Sequence, residues 1–290
     1  MTRPTPPPVP APSRGRCIAA ACRLEANAPK PGNVHPGAAF PDLDHGELVA
    51  AGRALAEPFD AAAGRPLGKT ILAGVRASRR VTRSNANLGI VLATAPLAAT
   101  PGAPGPLDPG AVEATLAHLT PADAAAVWEA IRLAAPGGLG QRPEHDLAAA
   151  PPPDLMAAMR AAAGHDRIAR LWAEGYRPLY DGLVADLAAE VAAAATLDDA
   201  IVRAFLGQLA REPDTHVTRR HGAGVADDLS HAAAAVLAAP DWRSAARRLD
   251  ARLRAPNRIN PGTTADLVAT ALYILLWEGR LAIDAVGAAG

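Results

Sequence analysis

Glu25-Ala-Asn-Ala-Pro-Lys-Pro-Gly-Asn-Val-His35 is the stretch on which the reading of this chain turns. An apolar helix carrying Cys17, Ile18, Cys22 and Leu24 runs straight into a loop crowded with polar groups. Pro29 and Pro31 stop the helix, because each fixes φ, lacks an N–H and pushes the residue before it into extended geometry. Gly32 frees the backbone to turn or to approach a neighbour closely. A carboxylate, an ammonium, a carboxamide and an imidazole thus arrive together, more chemistry than a simple connection needs.

The same pattern, a helix boundary followed by a polar cluster, recurs three times. Arg83-Ser-Asn-Ala-Asn-Leu-Gly89 leads into the apolar segment Ile90 to Leu97, which Pro96 interrupts near its end. Its two carboxamides can cap the next helix and keep amide groups free. Asp214-Thr-His-Val-Thr-Arg-Arg-His221 follows a helix end and a proline. Asn260-Pro-Gly-Thr-Thr-Ala-Asp266 opens the final apolar helix, with threonines suited to capping and a glycine exposing amides, as at an anion-binding helix N-terminus.

Between these clusters the chain reads as helix. Alanine dominates the 290 residues, aromatics are only 3%, and β-branched residues are thin, a composition that favours helices with a small-residue core. Asp44 caps a helix to about Ala56, with Pro58 after its end, and Pro66 sits early in one reaching about Val81. Helices are expected over Gly110 to Leu119 and over Pro121 to Ala134, the latter with Thr120 as N-cap. Pro136-Gly-Gly-Leu-Gly140 breaks the chain, with Glu144, His145 and Asp146 behind it. Asp154 and Asp166 each open a helix, and Tyr176 to Ala195 reads as one long buried helix with Leu179, Leu183, Leu187 and Val191 at i, i+4 spacing. Leu197 to Ala210, Ala223 to Ala238 and Trp242 to Leu253 complete the set. The expectation is an all-α domain of about twelve to fourteen helices over 14–290, preceded by a disordered proline-rich leader, 1–13.

Several functions are excluded or demoted. Lys+Arg and Asp+Glu balance at 29 each, so net charge points to neither nucleic acid nor an anionic membrane. Leu267 to Trp277 is far shorter than the roughly 20 residues that span a bilayer. Cys17 and Cys22, five apart, fit neither a redox CxxC pair nor a zinc site, and a reducing cytoplasm is expected. Gly64-Arg-Pro-Leu-Gly-Lys-Thr70 imitates a phosphate loop, but its first glycine lies one residue too close to the Gly-Lys-Thr and a helix precedes it.

Taken singly, the polar residues have ordinary readings: Glu25 as a salt-bridge partner, His35 as a loop histidine, Asp214 as a helix cap, Asp266 as a favourable first-turn carboxylate. Taken together, four such loops would make a polyanion site with acidic residues left over for a divalent cation. Mg²⁺ suits carboxylate, phosphate and water oxygens.

Pro29-Lys-Pro-Gly-Asn-Val34, Asn85-Ala-Asn-Leu-Gly-Ile-Val-Leu-Ala-Thr-Ala-Pro-Leu97, Pro136-Gly-Gly-Leu-Gly140, Asp214-Thr-His-Val217 and Asn260-Pro-Gly-Thr-Thr-Ala-Asp266 resemble the ordered motifs of the triphosphoribosyl-dephospho-coenzyme A synthase family, from about Arg14 to Trp277. The resemblance implies transfer of the triphosphoribosyl group of ATP to dephospho-coenzyme A with loss of adenine, making the prosthetic-group precursor of an acyl carrier protein. On that basis Lys30, Asn33, His35, Arg83, Asn85, Asn87, Gly262, Thr263 and Thr264 are expected to bind substrate and phosphate, Glu25 and Asp266 to hold Mg²⁺ directly or through water, and Asp214 or His216 to transfer a proton. Members making the citrate-lyase precursor tend to carry Asn-Thr-His-Lys-Gly where this chain has Asn85-Ala-Asn-Leu-Gly89, so Asn87 and Leu88 replace histidine and lysine. The form here resembles a divergent branch found in archaea and in bacteria with methanopterin-linked one-carbon metabolism. Two alternatives stand beside the main reading: a related ribosyl or phosphoribosyl transferase of pterin or furan cofactor synthesis, and a catalytically silent nucleotide-binding helical protein.

Overall fold

The computed structural model describes residues 12–134, 150–254 and 258–283. Most of the leader and the Pro136–Gly140 run with Glu144, His145 and Asp146 lie outside the described residues. In chain order the helices are α1 (Arg14–Asn27), α2 (His45–Ala54), α3 (Ala56–Asp60), α4 (Leu67–Val81), α5 (Leu88–Ala99), α6 (Pro109–Ala117), α7 (Pro121–Ala134), α8 (Leu155–Ala162), α9 (Arg167–Glu174), α10 (Arg177–Leu179), α11 (Ala185–Ala193), α12 (Leu197–Arg211), α13 (Thr215–His221), α14 (Ala223–Ala238), α15 (Trp242–Arg254) and α16 (Gly262–Trp277). Counting α2 with α3 and α10 with α11 as continuous, fourteen helices and no strand occur among the described residues, so the protein is all-α.

The last helix is the axis of the fold. From Ala265 to Trp277 every α16 residue except Asp266 is buried. A helix apolar all round must be surrounded, and α16 packs against α1, α5, α9, α11, α12, α13 and the turn at Tyr180–Val184. α5 is almost as deeply enclosed, and Thr94 Oγ1 meets Thr270 Oγ1 at 3.0 Å between the two.

Pro96 does not end α5. A proline leaves the carbonyl four residues earlier without its helical donor, and here the indole Nε1 of Trp172 donates to that carbonyl, Leu92 O, at 2.9 Å, while the Tyr176 hydroxyl donates to Ala93 O at 2.7 Å. Borrowed donors therefore carry the helix on to Ala99. Pro58 lies within α3, which follows α2 after the single residue Leu55, so the chain stays helical past Ala56 to Asp60. The expected long helix at Tyr176 is instead α10 and α11 joined through a π turn at Tyr180–Val184, the kind of local bulge that absorbs an extra residue.

The phosphate-loop imitation at Gly64–Thr70 is explained by packing. Gly68 N donates to Asp123 Oδ1 at 2.8 Å, and a Cβ on Gly68 would lie 2.5 Å from the Asp123 carbonyl oxygen. The glycine is there to let α4 and α7 touch. Among the described residues no helix is long and apolar enough to cross a membrane.

Candidate active site

All four polar loops meet at Asn260–Asp266, the entrance to α16. From the third loop, Asp214 caps α13, its Oδ1 accepting from Val217 N at 3.0 Å, while its Oδ2 accepts from Thr264 N and Thr264 Oγ1, each at 2.7 Å. Thr215 Oγ1 donates to Thr263 Oγ1 at 3.2 Å, and the His216 ring faces Gly262, where a methyl would stand 3.6 Å from the imidazole. From the first loop, Gly32 takes φ +79° and its N donates to Asp250 Oδ1 at 2.8 Å. Its Cα is pressed so close that a Cβ would lie 2.6 Å from Ile259 O. From the second, Gly89 lies flat against Asp266: an added Cβ would be 1.9 Å from Oδ2.

This convergence reassigns several expected roles. Lys30 is fully buried, paired with Glu25 Oε1 at 2.9 Å and donating also to the carbonyls of Glu25 and of Ala28, the latter at 3.3 Å. An ammonium has three donors, all engaged within its own loop, so Lys30 is a structural pin rather than a phosphate hand. Nor is the N-terminus of α16 an open anion site. Gly262 N is held by Asn260 O at 2.8 Å, and Asp214 takes the amide and hydroxyl of Thr264. The protein has capped this helix with its own carboxylate. By the same token Asp214, buried and accepting three hydrogen bonds, is a positioning residue and not a free base.

Other residues keep their freedom to different degrees. Arg83 and Asn85 are exposed, and no acidic partner of Arg83 is present among the described residues. Asn33 is buried, its Nδ2 on Pro31 O at 3.3 Å and its own carbonyl accepting from Arg254. His35 is half-buried with Gly37 N donating to its Nδ1 at 3.2 Å, and burial lowers its pKa. Asn87 occupies the N-cap position of α5 without a capping bond. Its Nδ2 reaches Ser78 Oγ at 3.4 Å, and its buried Oδ1 has no hydrogen-bond partner.

His216 has a defined tautomer. Arg219 Nη2 approaches its Nδ1 at 3.4 Å; a guanidinium only donates, so Nδ1 accepts and Nε2 carries the proton. Burial, the largest cause, outweighs the attraction of Asp214 and, with the neighbouring guanidinium groups of Arg219 and Arg220, lowers its pKa to about 4. The ring is therefore neutral at pH 7 and presents its Nε2–H as a hydrogen-bond donor.

Asp266 retains partial exposure, yet burial, then the charges of Glu25, Asp214 and Asp166, push its carboxyl well above the usual range. Among the described residues there is no group of three or more His, Cys, Asp or Glu placed to hold a metal. The sequence reading missed Arg167, buried at the start of α9. It pairs with Glu212 Oε2 at 3.1 Å, and its Nη1 donates to Thr264 Oγ1 at 3.4 Å. No motif marks it; the only hint was an arginine set among Ile168, Ala169, Leu171 and Trp172. Two clefts, of about 470 Å³ beside Trp242 and about 550 Å³ beside Trp172, lie away from the four loops, so the site is marked by its chemistry and not by cleft size.

The Gly89 contact yields a direct expectation. Gly89→Ala should improve helix propensity by roughly 1 kcal/mol yet force Asp266 aside, so turnover is expected to fall about tenfold or more with little change in melting temperature. An unaltered kcat would show that the placement of Asp266 is immaterial.

Residues 11–284 match the family model of ATP:dephospho-CoA triphosphoribosyl transferase. A solved structure from Archaeoglobus fulgidus, described as a candidate triphosphoribosyl-dephospho-CoA synthase, is 25% identical and superposes with a TM-score of 0.63, covering 81% of this chain and 99% of that one. No curated protein matches the sequence significantly. These similarities do not favour the pterin or furan transferase or the silent binding protein.

Proposed function

The chain belongs to the ATP:dephospho-CoA triphosphoribosyl transferase family, and from that premise we propose that it moves the triphosphoribosyl group of ATP onto a ribose hydroxyl of dephospho-CoA and releases adenine. The observation that carries the reading is the meeting of all four polar loops at the entrance to α16. Scattered loops could not act on one substrate.

Breaking the N-glycosidic bond passes through an oxocarbenium-like state in which negative charge grows on the adenine ring. A fixed donor aimed at that charge lowers the barrier without reorganising. We assign this task to the Nε2–H of His216, whose tautomer is set by Arg219. The Asp214–Thr264–Arg167 network holds α13, α16 and α9 in register, so that His216 and Asp266 keep their spacing. To Arg83 and Asn85, exposed on the second loop, and to His35 of the first loop we assign contact with phosphate.

We assign a Mg²⁺ ion to the carboxylates of Asp266 and Glu25, which are oxygen donors of the kind that ion takes alongside phosphate and water. Burial first, and then the negative charges of Glu25, Asp214 and Asp166, favour the proton on Asp266, and a cation would relieve the repulsive part of that shift. Asp266 would hold the ion, with Glu25 through water because Lys30 already engages it. With so few protein ligands, phosphate and water would supply the rest. When bound, the ion neutralises charge on the triphosphate. Such substrates are those of the cytoplasm, where we place the reaction.

The test is adenine release from ATP and Mg²⁺ with and without dephospho-CoA. Adenine appearing only with that acceptor is the expected result, and its absence from folded protein would end the proposal. For His216, the Ala variant should lose about a hundredfold in kcat, while Gln, which can offer an amide N–H in place of Nε2–H, should stay within about tenfold of wild type. Because the ring is already neutral, activity should show no histidine inflection between about pH 5.5 and 7.5. Stability should follow its own rule: a depressed folded pKa contributes stability that is complete above about pH 6.5 and lost as pH falls toward about 4. An activity transition near pH 6.5 that disappears in His216→Gln would refute the neutral ring.

A further inference from the structure

Arg258 stands two residues before Asn260 and outside every role assigned above. It is the only non-glycine residue with positive φ among the described residues, at +50°. That region is disfavoured for a side chain of this size, and strain of this kind collects where a residue is held for a purpose other than folding. The guanidinium lies over the Phe40 ring, 4.4 Å from its centroid, with Arg254 over the same ring at 5.7 Å. A guanidinium stacked by its face leaves its in-plane fork of N–H groups free for a planar or tetrahedral oxyanion.

That fork is engaged by one partner, the Asp42 carboxylate. Asp42 lies seven residues past the first loop, in the turn bridged by Phe40 and Leu43, and its own carbonyl accepts from Ser84 Oγ of the second loop. One exposed ion pair therefore joins the segment after the first loop to the segment just before the fourth, with the second loop tied to it through Ser84. The side chains of the pair are 42% and 64% exposed, and an ion pair so wet contributes little. A phosphate chain offers more oxygens and more charge to the same fork. Arg83, without an acidic partner among the described residues, sits one residue from Ser84.

We propose that Arg258 binds the polyphosphate chain of a substrate, and that Asp42 is an internal stand-in which the incoming polyphosphate displaces. This rests on the transferase reading, in which both substrates carry such a chain: the triphosphate of ATP and the diphosphate of dephospho-CoA.

Inorganic tripolyphosphate, titrated calorimetrically into the full chain, tests the proposal without turnover. Arg258→Gln should weaken binding at least tenfold. Asp42→Asn should strengthen it severalfold, because the competitor is gone, whereas Glu57→Gln, the same charge change at an exposed acid on α3, should leave it within twofold. A merely structural latch predicts the opposite for Asp42, since breaking either partner would loosen the loops alike; binding that weakens or stays unchanged in Asp42→Asn overturns the proposal even if Arg258→Gln fails to fold. In turnover, a raised KM for ATP with kcat preserved identifies the triphosphate as the bound chain, and a raised KM for dephospho-CoA identifies the diphosphate. If neither KM moves in an active Arg258→Gln enzyme, the proposal falls while the transferase reading survives. Tripolyphosphate binding with the expected signs in a wild-type protein that releases no adenine would leave Arg258 standing and end that reading.

Discussion

Asp214→Ala should melt about 10 °C below the wild type, the counterpart of roughly 3–4 kcal/mol in a chain of this size. The residue is completely buried, and its two oxygens accept from Val217 N, Thr264 N and Thr264 Oγ1. Truncation removes an N-cap, worth about 1 kcal/mol, and orphans two further donors whose bonds to a charged acceptor count for about 1.5–3 kcal/mol each, partly regained through relaxation. Asp214→Asn keeps one acceptor oxygen and should recover about half of the loss. Thermal unfolding separates the cases, and a melting shift under 3 °C for the alanine variant would show that the α13–α16 junction does not depend on this carboxylate. Turnover should fall with stability in this series, because the same junction places His216 beside Gly262.

Lys30→Met is expected to be as damaging, by roughly 3–5 kcal/mol, because it leaves the largely buried Glu25 carboxylate without its cation. The pH dependence gives the signature. In the variant the deficit should be smallest at acidic pH, where protonation removes the lone buried charge, and should grow as pH rises through the carboxylate range. Glu25→Leu combined with Lys30→Met should restore most of the loss, since apolar replacement of both partners removes the unpaired charge and the desolvation cost together. Denaturant titration at pH 5 and pH 8 would show it. A single variant with the same deficit at both values, or a double variant no better than the single, would mean that the pair is not what closes the first loop.

Both predictions concern residues whose type the sequence displayed and whose use it concealed. Lys30 reads naturally as a cation held out to phosphate, and Asp214 as an acid available for proton transfer. Each turned inward because its nearest partners are local or lie across the fold: Glu25 is five residues away, but Thr264 is fifty. Arg167, Arg258 and Asp42 had no signature, since an isolated arginine or aspartate acquires meaning only from what stands opposite it.

The sequence by itself determined the helices, because capping residues, prolines and apolar spacing act over a few residues: Pro121–Ala134 and Ala223–Ala238 fall where the pattern puts them. It also displayed clusters of polar residues at helix boundaries, in four loops with the ordered motifs of a transferase family. Only the tertiary structure decided that those loops share one place, that Trp172 and Tyr176 carry α5 through Pro96, and which polar groups are spent on the fold and which remain for a substrate. Local propensity is additive along the chain. The availability of a charged group instead depends on burial and on partners brought together by packing around α16, and neither is encoded within the stretch that carries the charge.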